Sequence, residues 1–358
     1  MTAYLPNSNP MLEEKALGTG NFLGYPDMNK IGLGLAALGR PGYINVGHDR
    51  DIASKSRDDM QKHCAQVLDE AHALGIRYFD AARSYGEAEA FLSAWILSRG
   101  HVKAASGENS ASIVVGSKWG YTYTAGWRVD NGGEPHEVKE HTISNLLRQS
   151  QLSKELLGTH MQLYQIHSAT LESGVLENIE VLKELERIKK SWHWRIGLSC
   201  SGVNQSQTIR KALDIRMADG GMLFDCVQAT WNLLEQSAGQ ALNEAYDCGL
   251  DVIVKEGMAN GRLLTLHDQS SSLTDTLLAE MASKYDCSVD ALALAIVLKQ
   301  PFQPMVLSGA ATIEHLRSNV KALQLMKRLE LEDAQNILEA LRQDPTMYWQ
   351  QRAALVWN

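Results

Sequence analysis

Eight short apolar runs, beginning near Ile31, Arg77, Ile113, Met161, Arg195, Cys226, Asp251 and Met305, recur along the chain with stretches of helical periodicity between most of them. This alternation constrains the fold more than any single residue does. Most of the runs are continuously apolar rather than alternating, as in Ser112-Ile113-Val114-Val115-Gly116 and Leu250-Asp251-Val252-Ile253-Val254, and a strand covered on both faces reads this way. Met60, Cys64, Val67, Leu68, Ala71 and Leu74 fall on one face of a helix that opens with Ser56 and Asp59 in capping-box spacing. Val175, Ile179, Leu182, Leu185 and Ile188 repeat the pattern after the fourth run, and Ile313, Leu316, Val320 and Leu323 repeat it after the eighth. Eight strand-helix units predict an α/β fold, a single-domain (β/α)8 TIM barrel with extended loops at its C-terminal face. The expected division is an N-terminal extension over 1–29, the barrel with its cofactor and catalytic sites over 30–325, and a C-terminal helix and tail over 326–358.

Two longer segments interrupt the alternation, Trp119 to Glu137 and Arg262 to Ser288, and both follow carboxyl ends of strands, where barrel active sites are built. The first carries Trp119, Tyr121, Tyr123 and Trp127, enough aromatic surface to contact a substrate or to pack upon itself. The tail carries Tyr348, Trp349 and Trp357, which could fold over the barrel mouth or cap it. With 44% hydrophobic and 21% charged residues in 358, the chain has the composition of a globular protein with a large core. A formal charge of −8 without clustered Lys and Arg argues against a nucleic-acid partner. The first 25 residues contain no apolar run, so neither a signal peptide nor a membrane span is expected, and the reading is cytoplasmic. Cys64, Cys200, Cys226, Cys248 and Cys287 lack C-x-x-C spacing and are expected as buried free thiols.

Chemistry gathers at three successive runs. Asp80 and Tyr85 follow the second, Lys118 ends the third in Gly116-Ser117-Lys118, and His167 ends the fourth in Gln165-Ile166-His167. At strand ends these side chains converge on one mouth, and an acid, a phenol, an amine and an imidazole together suggest carbonyl reduction. A tyrosine near its ordinary pKa of about 10 becomes a useful proton donor only when a cation stabilises its phenolate. Lys118 is the candidate cation. Taken singly, Asp80 could cap a helix, Tyr85 could pack, Lys118 could be solvated and His167 could be a satisfied core residue. A metal site is a competitor through His167 and Asp80, although no second His or Cys stands at ligand spacing and Lys118 would repel a cation, so no metal is expected. Lys118 as a Schiff-base nucleophile of a barrel lyase is another.

Gly32-Leu33-Gly34-Leu35-Ala36-Ala37 matches a dinucleotide-binding fingerprint, yet Gly39, Pro41, Gly42 and Gly47 break the helix that such a fingerprint must open. Ser308-Gly309-Ala310-Ala311-Thr312, leading into an amphipathic helix, is the better candidate for holding a phosphate.

With these residues in view, the chain from about Lys30 to Leu325 resembles the aldo-keto reductase superfamily. The resemblance rests on Phe79-Asp80-Ala81 through Tyr85-Gly86-Glu87-Ala88-Glu89, on Gly116-Ser117-Lys118 and on Gln165-Ile166-His167. Gly197-Leu198-Ser199, Val227-Gln228, Gly261-Arg262-Leu263 and Gly309-Ala310 with Asn319 add weaker matches. It implies a barrel that binds NADP (NADPH), with NAD as the alternative, and transfers hydride to a small-molecule aldehyde or ketone, or from the matching alcohol or sugar. Tyr85 would be general acid, Asp80 and Lys118 would tune it, and His167 would orient the carbonyl. By the same resemblance Ser199 and Gln228 would hold the carboxamide beside Trp231. Lys255, Gly257, Gly309, Ala310, Ala311, Thr312, His315 and Asn319 would line the dinucleotide, and Trp119, Tyr121 and Trp127 the substrate. The chain departs from many relatives in having Lys255-Glu256-Gly257 where they place an aromatic and a hydroxyl, and Arg317 is the nearest guanidinium to the expected 2′-phosphate. A regulatory, cofactor-binding subunit on the same barrel is the alternative function, and the sequence carries no signal for an oligomeric state.

Overall fold

The computed structural model describes residues 19–100, 113–265 and 273–358. Residues 1–18 of the expected N-terminal extension, and 266–272 of the second long segment, lie outside the described residues. A hairpin of β1 (Thr19–Phe22) and β2 (Tyr25–Asn29) precedes the barrel. The barrel strands are β3 (Ile31–Gly34), β4 (Tyr78–Asp80), β5 (Val114–Trp119), β8 (Met161–Ala169), β9 (Arg195–Cys200), β10 (Cys226–Thr230), β11 (Asp251–Lys255) and β12 (Met305–Ser308). They close in that order, every neighbour parallel, with β12 pairing back onto β3. Each begins within one residue of its expected position. The (β/α)8 reading of the sequence therefore holds, and the Gly32-x-Gly34 stretch is a barrel strand rather than a dinucleotide fingerprint.

Side-chain alternation along the strands divides the interior into two layers. Tyr78, Val114, Leu163, Cys226, Ile253, Met305 and Leu307 point inward and pack against Phe22, Leu23 and Met28 of the hairpin, which plugs the amino-terminal end. Leu23 N–H donates to Asp251 Oδ2 at 2.9 Å, and burial pushes the Asp251 carboxyl up to about 6. Residues of opposite parity, such as Phe79, Val115, Ile166 and Leu198, face the helices. Each such side chain, fully buried, contributes roughly 1.5–3 kcal/mol.

The helices form at the expected positions, although Ile179, expected on the buried stripe after the fourth strand, is exposed and Val181 is buried instead. Arg57–Ala73 is capped by Ser56, whose Oγ accepts from Asp59 N–H at 3.2 Å, and it buries Met60, Cys64, Val67, Leu68 and Ala71. Ile179–Trp192 is capped by Asn178 and Ile313–Val320 by Thr312. Three of the five thiols, Cys64, Cys200 and Cys226, are buried. Cys248, by contrast, is exposed because it caps the carboxyl end of Gly239–Asp247, and Cys287 is partly exposed. Two features then cross the carboxyl-terminal mouth. An antiparallel ribbon of β6 (Tyr121–Tyr123) and β7 (Glu137–Lys139) rises from the first long segment. The chain end returns after the Pro345–Ala353 helix, and Asn358 exchanges two 3.1 Å backbone hydrogen bonds with Tyr43. Among the described residues no helix is long and apolar enough to cross a membrane.

Candidate active site

A cavity of about 410 Å³ opens at the carboxyl ends of the strands. Alternation decides what enters it: with Tyr78 and Val114 inward, so are Asp80 and Lys118, and with Leu163 inward, so are Gln165 and His167. Lys118, with no exposed surface, donates to Asp80 Oδ2 in a very short ion pair, to Ala81 O at 3.0 Å and toward Tyr85 Oη at 3.5 Å. The other Asp80 oxygen accepts from Tyr78 Oη at 2.8 Å, Gln165 Nε2 at 3.2 Å and Gln228 Nε2 at 3.3 Å. The buried carboxylate thus has both a counter-ion and saturated acceptors, which burial of a charge demands. His167 meets the Tyr85 ring edge-on at 5.4 Å, with Nδ1 3.3 Å from Ser84 Oγ. The structure therefore brings Asp80, Tyr85 and His167 together at one cavity wall, with Lys118 buried directly behind it.

Electrostatics sets their protonation. Burial, then Asp80, push the Tyr85 phenol well above its ordinary range, while Arg40 pulls it back. Burial and then Lys118 hold His167 far below its usual value, so its ring is neutral. A β-bulge between Ile166 and Ala169 of β8 leaves Ser168 in the left-handed region, φ 52°. Ser168 N–H is satisfied by Ser199 Oγ at 2.8 Å.

Tyr85 itself is placed by a tight turn. Its turn lies directly on Gly39: a Cβ there would stand 2.3 Å from Tyr85 O and 2.5 Å from Ala88 Cβ, and Glu87 N–H donates to Gly39 O at 2.7 Å. Backbone cannot yield as a flexible side chain can. Gly39→Ala is expected to cost about 1–3 kcal/mol in chemical denaturation and to lower turnover by displacing Tyr85; unchanged stability would refute this packing.

Charged groups outside the barrel staves complete the wall. Arg40, 2% exposed, donates from Nη1 to Ser84 O at 3.0 Å and to Glu137 Oε2 at 2.9 Å, and its guanidinium lies 5.1 Å from the Tyr85 ring centre. Across the cavity, Lys255 Nζ donates to Thr230 Oγ1 at 2.7 Å, and Glu256 accepts a bidentate pair from Arg352 of the C-terminal helix. Despite its burial, Glu256 is held down at about 2 by Arg352 and then Lys255.

From this wall the cavity runs past Gly257, Met258 and Gly261 to Ser308, Gly309, Ala310, His315 and Asn319. Ser308 Oγ donates to Asn319 Oδ1 at 2.7 Å, and Asn319 Nδ2 to Asp290 at 2.8 Å. The cleft is long and walled by glycine backbone and fixed amides, a shape suited to an extended dinucleotide. Thr312 caps the following helix, and Ala311 O faces His63 Nε2 at 2.6 Å, so neither lines the cavity. Arg317 is turned onto Glu70 at 2.7 Å, while Asp51 stands 3.9 Å from His315.

Several expected residues lie elsewhere. Trp119 follows inward-facing Lys118, so it points outward, fully buried, against His141. Trp127 packs on Phe91 and donates to Lys55 O at 2.8 Å, and Trp231 packs on Phe302 in the helical layer. Tyr121 stands against His167 at 4.9 Å, behind the cavity wall.

A model of the aldo/keto reductase family matches residues 30–342. The chain belongs to this family. Curated relatives include the uncharacterized oxidoreductase YqkF of Bacillus subtilis, 25% identical over 93% of this chain and 98% of its own length. The NADH-specific methylglyoxal reductase of Escherichia coli is 23% identical over 83% of this chain and 90% of its own. Among solved structures, an aldo/keto reductase from Klebsiella pneumoniae, in complex with NADP and acetate, is 20% identical and superposes with a TM-score of 0.61, covering 90% of this chain and 95% of that one. The cavity of this aldo/keto reductase is also lined by residues that sequence reasoning missed, among them Arg40, Tyr43, Glu137 and Arg352. No spacing rule marks them, because each comes from a loop, a ribbon or the C-terminal helix. Trp357, singled out in the tail, does line the mouth, stacked on His136 at 4.2 Å.

Proposed function

We propose that the chain is an NAD(P)(H)-dependent oxidoreductase that reduces a small aldehyde or ketone, or oxidises the matching alcohol, with Tyr85 as general acid. The observation that carries this reading is the Lys118 ammonium, buried behind the cavity wall between the Asp80 carboxylate and the Tyr85 hydroxyl, both of which line the cavity. The nicotinamide cofactor, when bound, supplies the hydride. Gln228, Gly257, Gly309, Ala310, His315 and Asn319 line the cleft that would hold it, with Ser199 positioning the end of β8 beneath. The carbonyl oxygen takes its proton from Tyr85 Oη as negative charge develops on it. In the tautomer in which Ser84 Oγ donates to Nδ1, neutral His167 carries its proton on Nε2 and can hydrogen-bond the same oxygen. Lys118 stabilises the phenolate that results, and Asp80 holds the ammonium in place. Because Tyr85 holds its proton above the ordinary tyrosine range, reduction persists into alkaline pH, and oxidation, which needs the phenolate, rises with pH.

NADPH is the cofactor assigned by kinship. One observation favours NADH as a second substrate: the cleft end near His315 presents the Asp51 carboxylate, while Arg317 is held by Glu70. A missing charge-assisted bond to the 2′-phosphate is worth roughly 1.5–3 kcal/mol, about tenfold or more in affinity. In parallel fluorescence titrations, NADH is expected to bind within about tenfold of NADPH. NADPH binding more than a hundredfold tighter would contradict the assignment of this end, and binding of neither would defeat the function. Borohydride trapping of a carbonyl substrate on Lys118 would favour a lyase instead; its burial against Asp80 opposes that chemistry.

A further inference from the structure

This inference rests on the reading of Tyr85 as proton donor. We propose that Arg40 is a positioning residue whose guanidinium, held on the face of the Tyr85 ring, stabilises the tyrosinate, and that Glu137 sets how strongly Tyr85 feels it. Lys118 is already neutralised by Asp80 in a short contact, so the carboxylate offsets much of its field at the phenol. Arg40 differs. Its side chain is 3% exposed, whereas its partner Glu137 is 23% exposed, so the counter-ion is better screened by water than the cation is.

The guanidinium is also fixed. It lies 5.1 Å from the ring centres of both Tyr43 and Tyr85 and 4.6 Å from that of Trp357, it is tied to Ser84 O, and its Nε has no hydrogen-bond partner among the described residues. Ser84 O belongs to the residue next to Tyr85, so the same contact holds the tyrosine turn in place. A planar cation so caged cannot swing toward solvent.

The charged and titratable groups around Tyr85 are Asp80 from β4, Lys118 from β5, His167 from β8, Glu137 from β7, Glu256 after β11, and Arg40 and Tyr43 from the loop after β3. Lys255 and Arg352 stand farther along the wall. Of these, Asp80, Glu137 and Glu256 oppose ionisation of the phenol and Arg40 favours it.

The test is the position of the alkaline break in the pH profile of kcat/KM for reduction. Arg40→Met is expected to move it up, and Glu137→Gln to move it down, each by about one pH unit, a tenfold change in proton affinity. Arg40→Lys keeps the charge and is expected to return the break toward that of the unmodified protein. A merely structural role would depress turnover in both variants without moving the break in opposite directions. Shifts of the same sign, or no shift, overturn the proposal. Should Arg40→Met fail to fold, Glu137→Gln decides alone: a downward break supports the proposal, and an unchanged or upward one overturns it. If Tyr85→Phe is inactive while these breaks stay fixed, only the role of Arg40 falls. If Tyr85→Phe retains turnover, the reading of Tyr85 fails first.

Discussion

Replacing Tyr85 with phenylalanine is expected to lower reductase turnover by about 10²- to 10⁴-fold, the contribution of a positioned general acid, while leaving affinity for the nicotinamide cofactor unchanged. The substitution removes one oxygen and keeps the ring. The edge contact with His167 at 5.4 Å and the guanidinium of Arg40 at 5.1 Å both engage the ring rather than the hydroxyl, so the wall of the cavity survives. Lys118 loses a 3.5 Å neighbour but retains Asp80 and Ala81 O. Single-turnover rates, with cofactor affinity taken from fluorescence quenching, separate the two effects. Near-normal turnover would mean that water or His167 supplies the proton, and the assignment would be abandoned.

Lys118→Met is expected to cost about 3–5 kcal/mol of stability in urea unfolding and to abolish measurable turnover. The cause is the carboxylate left behind. Asp80, 1% exposed, would keep the hydrogen bonds of Tyr78, Gln165 and Gln228 but lose the only cation placed against it among the described residues. Three neutral donors do not replace a counter-ion in an interior of low polarity. Adding Asp80→Asn to the variant removes the stranded charge, so the double variant is expected to recover much of the lost stability and none of the activity. A single variant as stable as the parent would show that the pair is not buried as described. That outcome would also remove the basis for an ionised cluster beneath Tyr85.

The alternation of strand and helix was readable in the sequence because two strong periodicities carry it. Parallel strands covered on both faces are continuously apolar, as Val114 and Val115 show, and helices with one buried face repeat at helical spacing, as Val181, Leu185 and Ile188 show. Asp80, Lys118 and His167 were readable for the same reason, since ionisable groups at the ends of apolar runs contradict the local pattern. Trp119 misled because its position in the chain, at the start of a long aromatic segment, suggested the mouth, whereas strand parity after Lys118 turns it outward. Counting parity from Tyr78 across to Lys118 would have found this. No comparable signal marks Arg40 or Arg352. Arg40 stands among Gly39, Pro41 and Gly42 in an irregular loop, and Arg352 reaches Glu256 across 96 positions of sequence. Such contacts depend on how separate segments settle over the finished barrel, and local propensity says nothing of that.

The ribbon of β6 and β7 separates two properties that a single rigid scaffold would bind together. The staves carry the groups proposed for the reaction, Asp80, Lys118 and His167, but Glu137 sits on an appendage whose strands pair with each other rather than with the barrel and which side-chain contacts such as that to Arg40 tie down. With Tyr121 kept against His167 and Lys139 on Ser168 O, Glu137 can drift or be redesigned without disturbing the staves. Transplanting or recharging it becomes a way to retune the acidity at which the catalyst works best while leaving its chemistry alone.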